Sequence, residues 1–143
     1  MLNIMVNTYN FNNPYCYEQL KKYLKPGMRV VICPFAHEIR YFTQESSFNE
    51  LYHVEYGKDY KILSRAFHDY GIEKEHIYVL NPHRDTSKYM KHKIENADVI
   101  LFTDGNFMEC ADFMKAMGLF NTVKEFKGIT MIASYNQLNI FQK

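Results

Sequence analysis

The chain has 143 residues, about the length of one domain, and 47% of them are hydrophobic, which excludes a disordered tail. Seventeen Lys and Arg against 16 Asp and Glu give a formal net charge of +1, so the sequence does not indicate a nucleic-acid partner. No apolar run is long enough to span a bilayer, and the N-terminal residues lack the features of a signal peptide. We therefore predict a single cytoplasmic domain over residues 1–143, without a membrane or nucleic-acid partner.

Five short apolar runs indicate β-strands. Most are continuous runs of β-branched or aromatic residues, which is typical of strands covered on both faces in a parallel sheet. The predicted strands cover residues 2–6, 28–33, 76–80, 98–103 and 129–134. All except 76–80 are expected at the centre of the sheet.

Stretches of helical periodicity lie between these runs. Pro14 suits the first turn of a helix, and Gly71 and Gly118 suit helix ends. The apolar faces of the predicted helices consist of Tyr17, Leu20, Tyr23 and Leu24, then Tyr60, Leu63, Phe67 and Tyr70, then Met90, Ile94 and Ala97, then Phe107, Cys110, Met114 and Met117, and finally Val123 and Phe126. This alternation predicts an α/β three-layer sandwich around a central, mostly parallel, doubly wound sheet of about five strands.

Two stretches leave alternatives open. The segment from Pro34 to Glu55 is long for a strand–helix connection, so it is either a functional flap or an extra short helix. The cysteines Cys16, Cys33 and Cys110 form no CxxC pair, which favours three reduced thiols, two of them packed as small hydrophobes, over one reactive cysteine.

The turn Asp104-Gly105-Asn106 is the most informative candidate site, because ligands of open α/β sheets bind at the carboxyl ends of the strands. Asn106 is a good helix N-cap, and Glu109 three residues later would complete a capping box. Backbone N–H groups of this turn facing the crevice could bind an anion or an oxyanion. The alternative is an ordinary well-capped turn.

Other motifs give little support for a cofactor. Neither GxGxxG nor GxxxxGK[ST] occurs, so no nucleotide cofactor is predicted. The histidines show no metal-binding spacing, and we predict no metal. His37 and His83 follow predicted strands and are candidates to line the crevice.

Three segments together resemble a known family. They are Lys-Pro-Gly-Met-Arg-Val-Val-Ile-Cys-Pro-Phe-Ala (25–36), Ile-Glu-Asn-Ala-Asp-Val-Ile-Leu-Phe-Thr-Asp-Gly-Asn (94–106) and Gly-Leu-Phe-Asn-Thr-Val-Lys-Glu-Phe-Lys-Gly-Ile-Thr-Met-Ile-Ala-Ser (118–134). This order is similar to the dipeptidase E family of serine peptidases, which have the class I glutamine amidotransferase-like superfold. In that family an "ADAI…GGN" segment ends one strand, and a later "GxSAGA" segment carries the nucleophile.

The resemblance implies a serine peptidase that hydrolyses short peptides. Gly105 and Asn106 match the end of the family's GGN turn, which helps form its oxyanion hole, and Ser134 is the candidate nucleophile. Asp104 replaces the first glycine of that turn. In an ungapped alignment the family's serine falls on Tyr135, and larger residues replace the small ones that follow it.

The family's catalytic histidine lies downstream of the serine, whereas no histidine follows Ser134 here. We therefore expect a domain that lacks the family's C-terminal elements, either as a naturally shortened relative or as a fragment. It should have weak or no peptidase activity unless His37 or His83 supplies the base. The alternatives are a non-catalytic domain that binds a small ligand or a protein partner, and a structural domain. Leu138, Ile140 and Phe141 are large apolar side chains that should pack either on their own sheet or on a second copy, and we expect the second, a homodimer.

Overall fold

A single parallel sheet organises the computed structural model, which describes residues 2–36, 40–103 and 105–133. Every strand pairing in it is parallel, and the strand order is β1-β5-β4-β2-β3. The strands are β1 (Leu2–Val6), β2 (Val30–Cys33), β3 (Ile77–Val79), β4 (Val99–Phe102) and β5 (Ile129–Ala133). The five predicted strands and the predicted parallel sheet are confirmed.

The predicted central position of 2–6 is wrong, because β1 lies at one edge of the sheet in the described residues. β1 pairs with β5 alone, from Leu2 opposite Ile129 to Val6 opposite Ala133. Its Met5 is 77% exposed, whereas all four residues of β2 and all four of β4 are buried. An edge strand covered on one face alternates between buried and exposed residues.

Helices lie between the strands as predicted. The described helices are α1 (Pro14–Leu20), α2 (Arg40–Thr43), α3 (Glu45–Tyr52), α4 (Lys58–His68), α5 (Ser87–Glu95), α6 (Phe107–Ala116) and α7 (Phe120–Lys124), with a 3₁₀ turn at Lys74–His76. The stretch from Pro34 to Glu55 contains α2 and α3, so the extra-helix alternative is correct. None of the helices in the described ranges is long and apolar enough to cross a membrane.

Local side-chain chemistry fixes several helix ends. The Asn13 side chain accepts a hydrogen bond from the Cys16 N–H at 3.0 Å, and Thr86 accepts one from the Tyr89 N–H at 3.1 Å. Both residues are N-caps, of α1 and α5. Gly71, with φ of +83°, lies just beyond α4 in the left-handed conformation that glycine adopts readily.

Two apolar layers cover the sheet and make the three-layer sandwich that the sequence predicts. On one face, α1, α3 and α4 pack against alternate strand residues, and on the other face α5 and α6 pack against the remaining ones. The first layer includes Leu20, Phe48, Leu63 and Phe67 over Ile4, Ile32, Leu101 and Met131, and the second includes Met90, Ile94, Cys110 and Met114 over Val31, Ile100 and Phe102.

All three cysteines are free, and two of them belong to the second apolar layer. Burial raises the pKa of Cys33 well above its ordinary value, and burial also raises the pKa of Cys110 to about 11. Both thiols therefore stay protonated near neutral pH, so neither is a good nucleophile. This confirms the prediction of two thiols packed as small hydrophobes.

The connections leave the sheet in opposite directions at one point. The chain after β2 leads to α3 and α4 on the first face, whereas the chain after the neighbouring β4 leads to α6 on the second face. Such a switch point opens a crevice at the carboxyl ends of the two strands, where open α/β sheets bind ligands.

Candidate functional site at the carboxyl edge of the sheet

A close backbone contact joins the two loops at the switch point. The Asn106 N–H, after β4, donates a hydrogen bond of 2.8 Å to the carbonyl oxygen of Ala36, after β2. Gly105 has φ of +142°, and a Cβ at this position would collide with that same carbonyl oxygen. The sequence pattern strand–Asp-Gly-Asn–helix therefore forms here because only glycine permits both the conformation and the approach.

Asn106 caps α6, as predicted. Its Oδ1 accepts hydrogen bonds from the N–H groups of Met108 at 2.8 Å and Glu109 at 3.2 Å. The other contact of the predicted capping box, from the Asn106 N–H to the Glu109 side chain, is wrong, because this N–H donates its hydrogen bond to the carbonyl of Ala36. The cap is thus joined to a neighbouring loop instead of closing on its own helix.

This hydrogen bond also changes which groups of the turn can reach a ligand. The Asn106 N–H is used by Ala36, so the expectation that it faces an open crevice does not hold. Within the described residues, no hydrogen bond involves the Gly105 N–H or the Asn106 Nδ2, and both residues are exposed. These two groups are the donors that the turn offers.

A buried group of hydroxyls lies beneath the same edge. The Tyr52 hydroxyl is hydrogen-bonded to the side chains of Thr103, directly after β4, and Tyr9, which follows β1. Burial, more than the nearby Tyr9 and Asp59, raises the pKa of Tyr52 well above its ordinary value, so the phenol stays neutral. This network joins α3 to the ends of two strands that are not neighbours in the sheet.

His83 is held by its surroundings. Its Nε2 lies 2.8 Å from the carbonyl oxygen of Tyr41, and its backbone N–H donates to the Asn81 side chain at 2.8 Å. Since a carbonyl only accepts, Nε2 carries the proton and His83 fastens α2 to the loop after β3. The neighbouring ion pair between Arg84 and Glu45 fastens the start of α3 to the same loop.

The other predicted site residues, Ser134 and His37, lie outside the described residues, as does Asp104. Ser134 is joined to Ala133, the last residue of β5. That strand runs between β1 and β4, with Ala133 opposite Val6 and Ile132 opposite Phe102. β5 therefore ends between the strands whose following loops carry Tyr9 and Gly105.

Comparison with solved structures identifies relatives in fold. A putative peptidase E protein from Listeria monocytogenes EGD-e superimposes with a TM-score of 0.58 at 15% identity, covering 93% of this chain and 57% of its own. A peptidase from an acI-B1 actinobacterium gives a TM-score of 0.61 at 14% identity, covering 92% of this chain and 52% of its own. The chain thus spans little more than half the length of these proteins.

No family model and no curated protein matches the sequence of this chain. The structures establish the fold, which is that of peptidase E proteins, and they confirm the resemblance seen in the sequence at that level.

Replacing Gly105 with alanine should destabilise the protein more than the matched change Gly118→Ala. Both glycines have positive φ, +142° and +72°, but a Cβ on Gly118 meets nothing within 4 Å. Gly118→Ala should cost about 1–2 kcal/mol from backbone strain alone. Gly105→Ala must also break the contact with Ala36. Urea denaturation should therefore show a larger loss in the free energy of unfolding for Gly105→Ala than for Gly118→Ala. Equal losses would contradict the close contact.

Removing the Tyr52 hydroxyl should also lower stability. Tyr52→Phe leaves two buried partners short of a hydrogen bond, which costs about 1–3 kcal/mol. The control is Tyr56→Phe, because Tyr56 is 55% exposed and water can replace its contacts. Thermal and urea denaturation should show a loss for the first variant and almost none for the second. A Tyr52→Phe protein as stable as the parent would refute the network.

Proposed function

We propose that this chain is a peptidase E-like domain that binds short peptides at the carboxyl edge of its sheet and hydrolyses them slowly or not at all by itself. The shared fold and the switch-point crevice support this assignment. We place the protein in the cytoplasm, because free cysteines are typical of reducing compartments.

The exposed donors of the turn support peptide binding. The Gly105 N–H and the Asn106 Nδ2 can donate to a carboxylate or carbonyl oxygen of a peptide. α6, with 10 residues, begins directly after them, so the positive end of its dipole also favours an oxygen ligand there. Ser134, joined to the end of β5, is the residue that we propose as nucleophile.

The observation that carries the proposal of slow hydrolysis is the hydrogen bond from the Asn106 N–H to Ala36, because it occupies a donor that could stabilise an oxyanion. A serine hydroxyl also needs a base within hydrogen-bond reach. The Nε2 of His83 donates to the Tyr41 carbonyl, so Nδ1 is the nitrogen of that ring left to accept a proton. Asp104 would in addition place a negative charge in the turn where the family has glycine.

The activity test is turnover of aspartyl dipeptides and a panel of other short peptides, with Ser134→Ala as the control. The parent protein should be no faster than Ser134→Ala, because a triad without its base loses about 10³-fold or more in rate. Rapid hydrolysis that Ser134→Ala abolishes would contradict the proposal and show that another group supplies the base.

Peptide binding is tested separately, by calorimetry with the same peptides. Asn106→Asp keeps an oxygen that can cap α6 but replaces the amide donor with a carboxylate. It should therefore bind peptides about tenfold or more weakly at nearly unchanged stability. The matched change Asn121→Asp, at an exposed position of α7, should leave binding intact. Unaltered binding by Asn106→Asp would exclude this turn, and absence of peptide binding by the parent would favour a protein-binding domain.

We also propose that two copies associate through β1. The described residues leave one side of this strand unpaired, and its five residues carry no charge and no proline. The opposite edge is better protected, since β3 has three residues and is flanked by the charged turn Lys74–His76 and by Pro82. An uncharged edge strand can pair with the same strand of a second copy about a two-fold axis.

Introducing charge at this edge should prevent the association. Met5 is 77% exposed on β1, and Met108, on α6, is 73% exposed and serves as the matched control. Met5→Lys should weaken dimerisation about tenfold or more, because it sets like charges against each other across the axis. Sedimentation equilibrium at micromolar concentration should show a dimer for the parent and for Met108→Lys. A parent protein that is strictly monomeric would refute this interface.

A further inference from the structure

A second concave site lies at the amino ends of the strands, on the side of the sheet opposite the switch point. We call this side the amino edge. It is a cavity of about 300 Å³ between the first residues of β2 and β3 and the last turn of α5. This volume is at the small end of the range for sites that bind small molecules. Its apolar wall consists of Val31, Tyr78 and Ala97, which belong to the second apolar layer, and its polar wall includes Arg29, His76, His92 and Lys93.

The charged groups of this cavity are mostly cationic. Lys93 lies over the Tyr78 ring, with its Nζ 4.6 Å from the ring centroid, so its ammonium group is held at the cavity wall. The Arg29 side chain has no ion pair or hydrogen bond within the described residues, although the Arg29 N–H is bonded to Asp98. The acidic side chain of the lining is Glu75. Burial, and after it the charge of Glu75, raises the pKa of Tyr60 on the other face of the sheet, so Glu75 lies near that face as well.

The end of α5 is arranged so that it opposes an anion only weakly. A helix C-terminus carries partial negative charge on its free carbonyls. Here the His92 carbonyl accepts hydrogen bonds from both the backbone N–H and the side chain of Asn96, and the Ile94 carbonyl accepts one from Ala97. With these two carbonyls satisfied, the charge preference of the site follows from the guanidinium and the ammonium, which outnumber the single carboxylate of Glu75.

We propose that this cavity binds a small organic phosphate monoester. The two permanent positive charges suit a dianion, and the imidazoles of His76 and His92 add further donors for its oxygens. The apolar wall suits a compact organic group attached to the phosphate. The site shares no residue with the carboxyl-edge turn, so it does not depend on the peptidase-like assignment.

Three probes separate the contribution of the dianionic charge from that of the apolar ring. Phenyl phosphate has both the dianion and an apolar ring, benzoate has the ring with a single charge, and inorganic phosphate lacks the ring. Each is titrated into the full chain and followed by the NMR signals of the His76 and His92 rings. Phenyl phosphate should bind about tenfold or more tightly than either of the others, with a dissociation constant below about 1 mM.

Two charge-removing variants and one control test the location. Arg29→Gln and Lys93→Gln should each weaken phenyl phosphate binding about tenfold, since each removes a charge-assisted contact. Lys61→Gln removes an exposed positive charge from α4, on the other face, and should leave binding unchanged. Absence of saturable binding, equal binding of all three probes, or equal effects of the three variants would each overturn the proposal.

Discussion

The contact between Gly105-Asn106 and Ala36 is the constraint on which the carboxyl edge depends. It brings together two loops that leave the sheet toward opposite faces, and it needs both a residue without Cβ and a free backbone donor. The contact fixes the start of α6 and thereby directs the Asn106 amide outward. It also makes the Asn106 N–H unavailable to a ligand. The same hydrogen bond that builds the crevice therefore limits the use of the crevice for oxyanion stabilisation.

The carboxyl ends and the amino ends of the strands form two sides of the sheet that differ in chemistry. At the carboxyl edge, the network around Tyr52 consists of neutral hydroxyls, and burial raises the pKa of Tyr52 so that it remains neutral. His83 in turn donates to a backbone carbonyl. At the amino edge, Arg29 and Lys93 border an open cavity. Buried neutral hydrogen bonds suit the bracing of loops, whereas cations beside an apolar wall suit the capture of a small anion.

Much of the fold could be predicted from the sequence, because strands buried on both faces must be continuously apolar and helix caps depend on neighbouring residues. The edge position of β1 could not, although Asn3 interrupts its apolar run, since strand order is set by long-range packing. The Gly105-Asn106 turn was found through its local pattern. Its bond to Ala36 and the link between Tyr52 and Thr103 were not, because both join residues that are far apart in the chain.

Native-state hydrogen exchange of the Asn106 amide tests the central claim most directly. An amide that donates to a carbonyl in a fixed loop contact exchanges only when the structure opens locally or globally. The account predicts that the Asn106 amide, bonded to Ala36 at 2.8 Å, exchanges far more slowly than the exposed Gly105 amide, and that Gly105→Ala removes this protection. Equally fast exchange of both amides in the parent protein would show that the two loops are not joined.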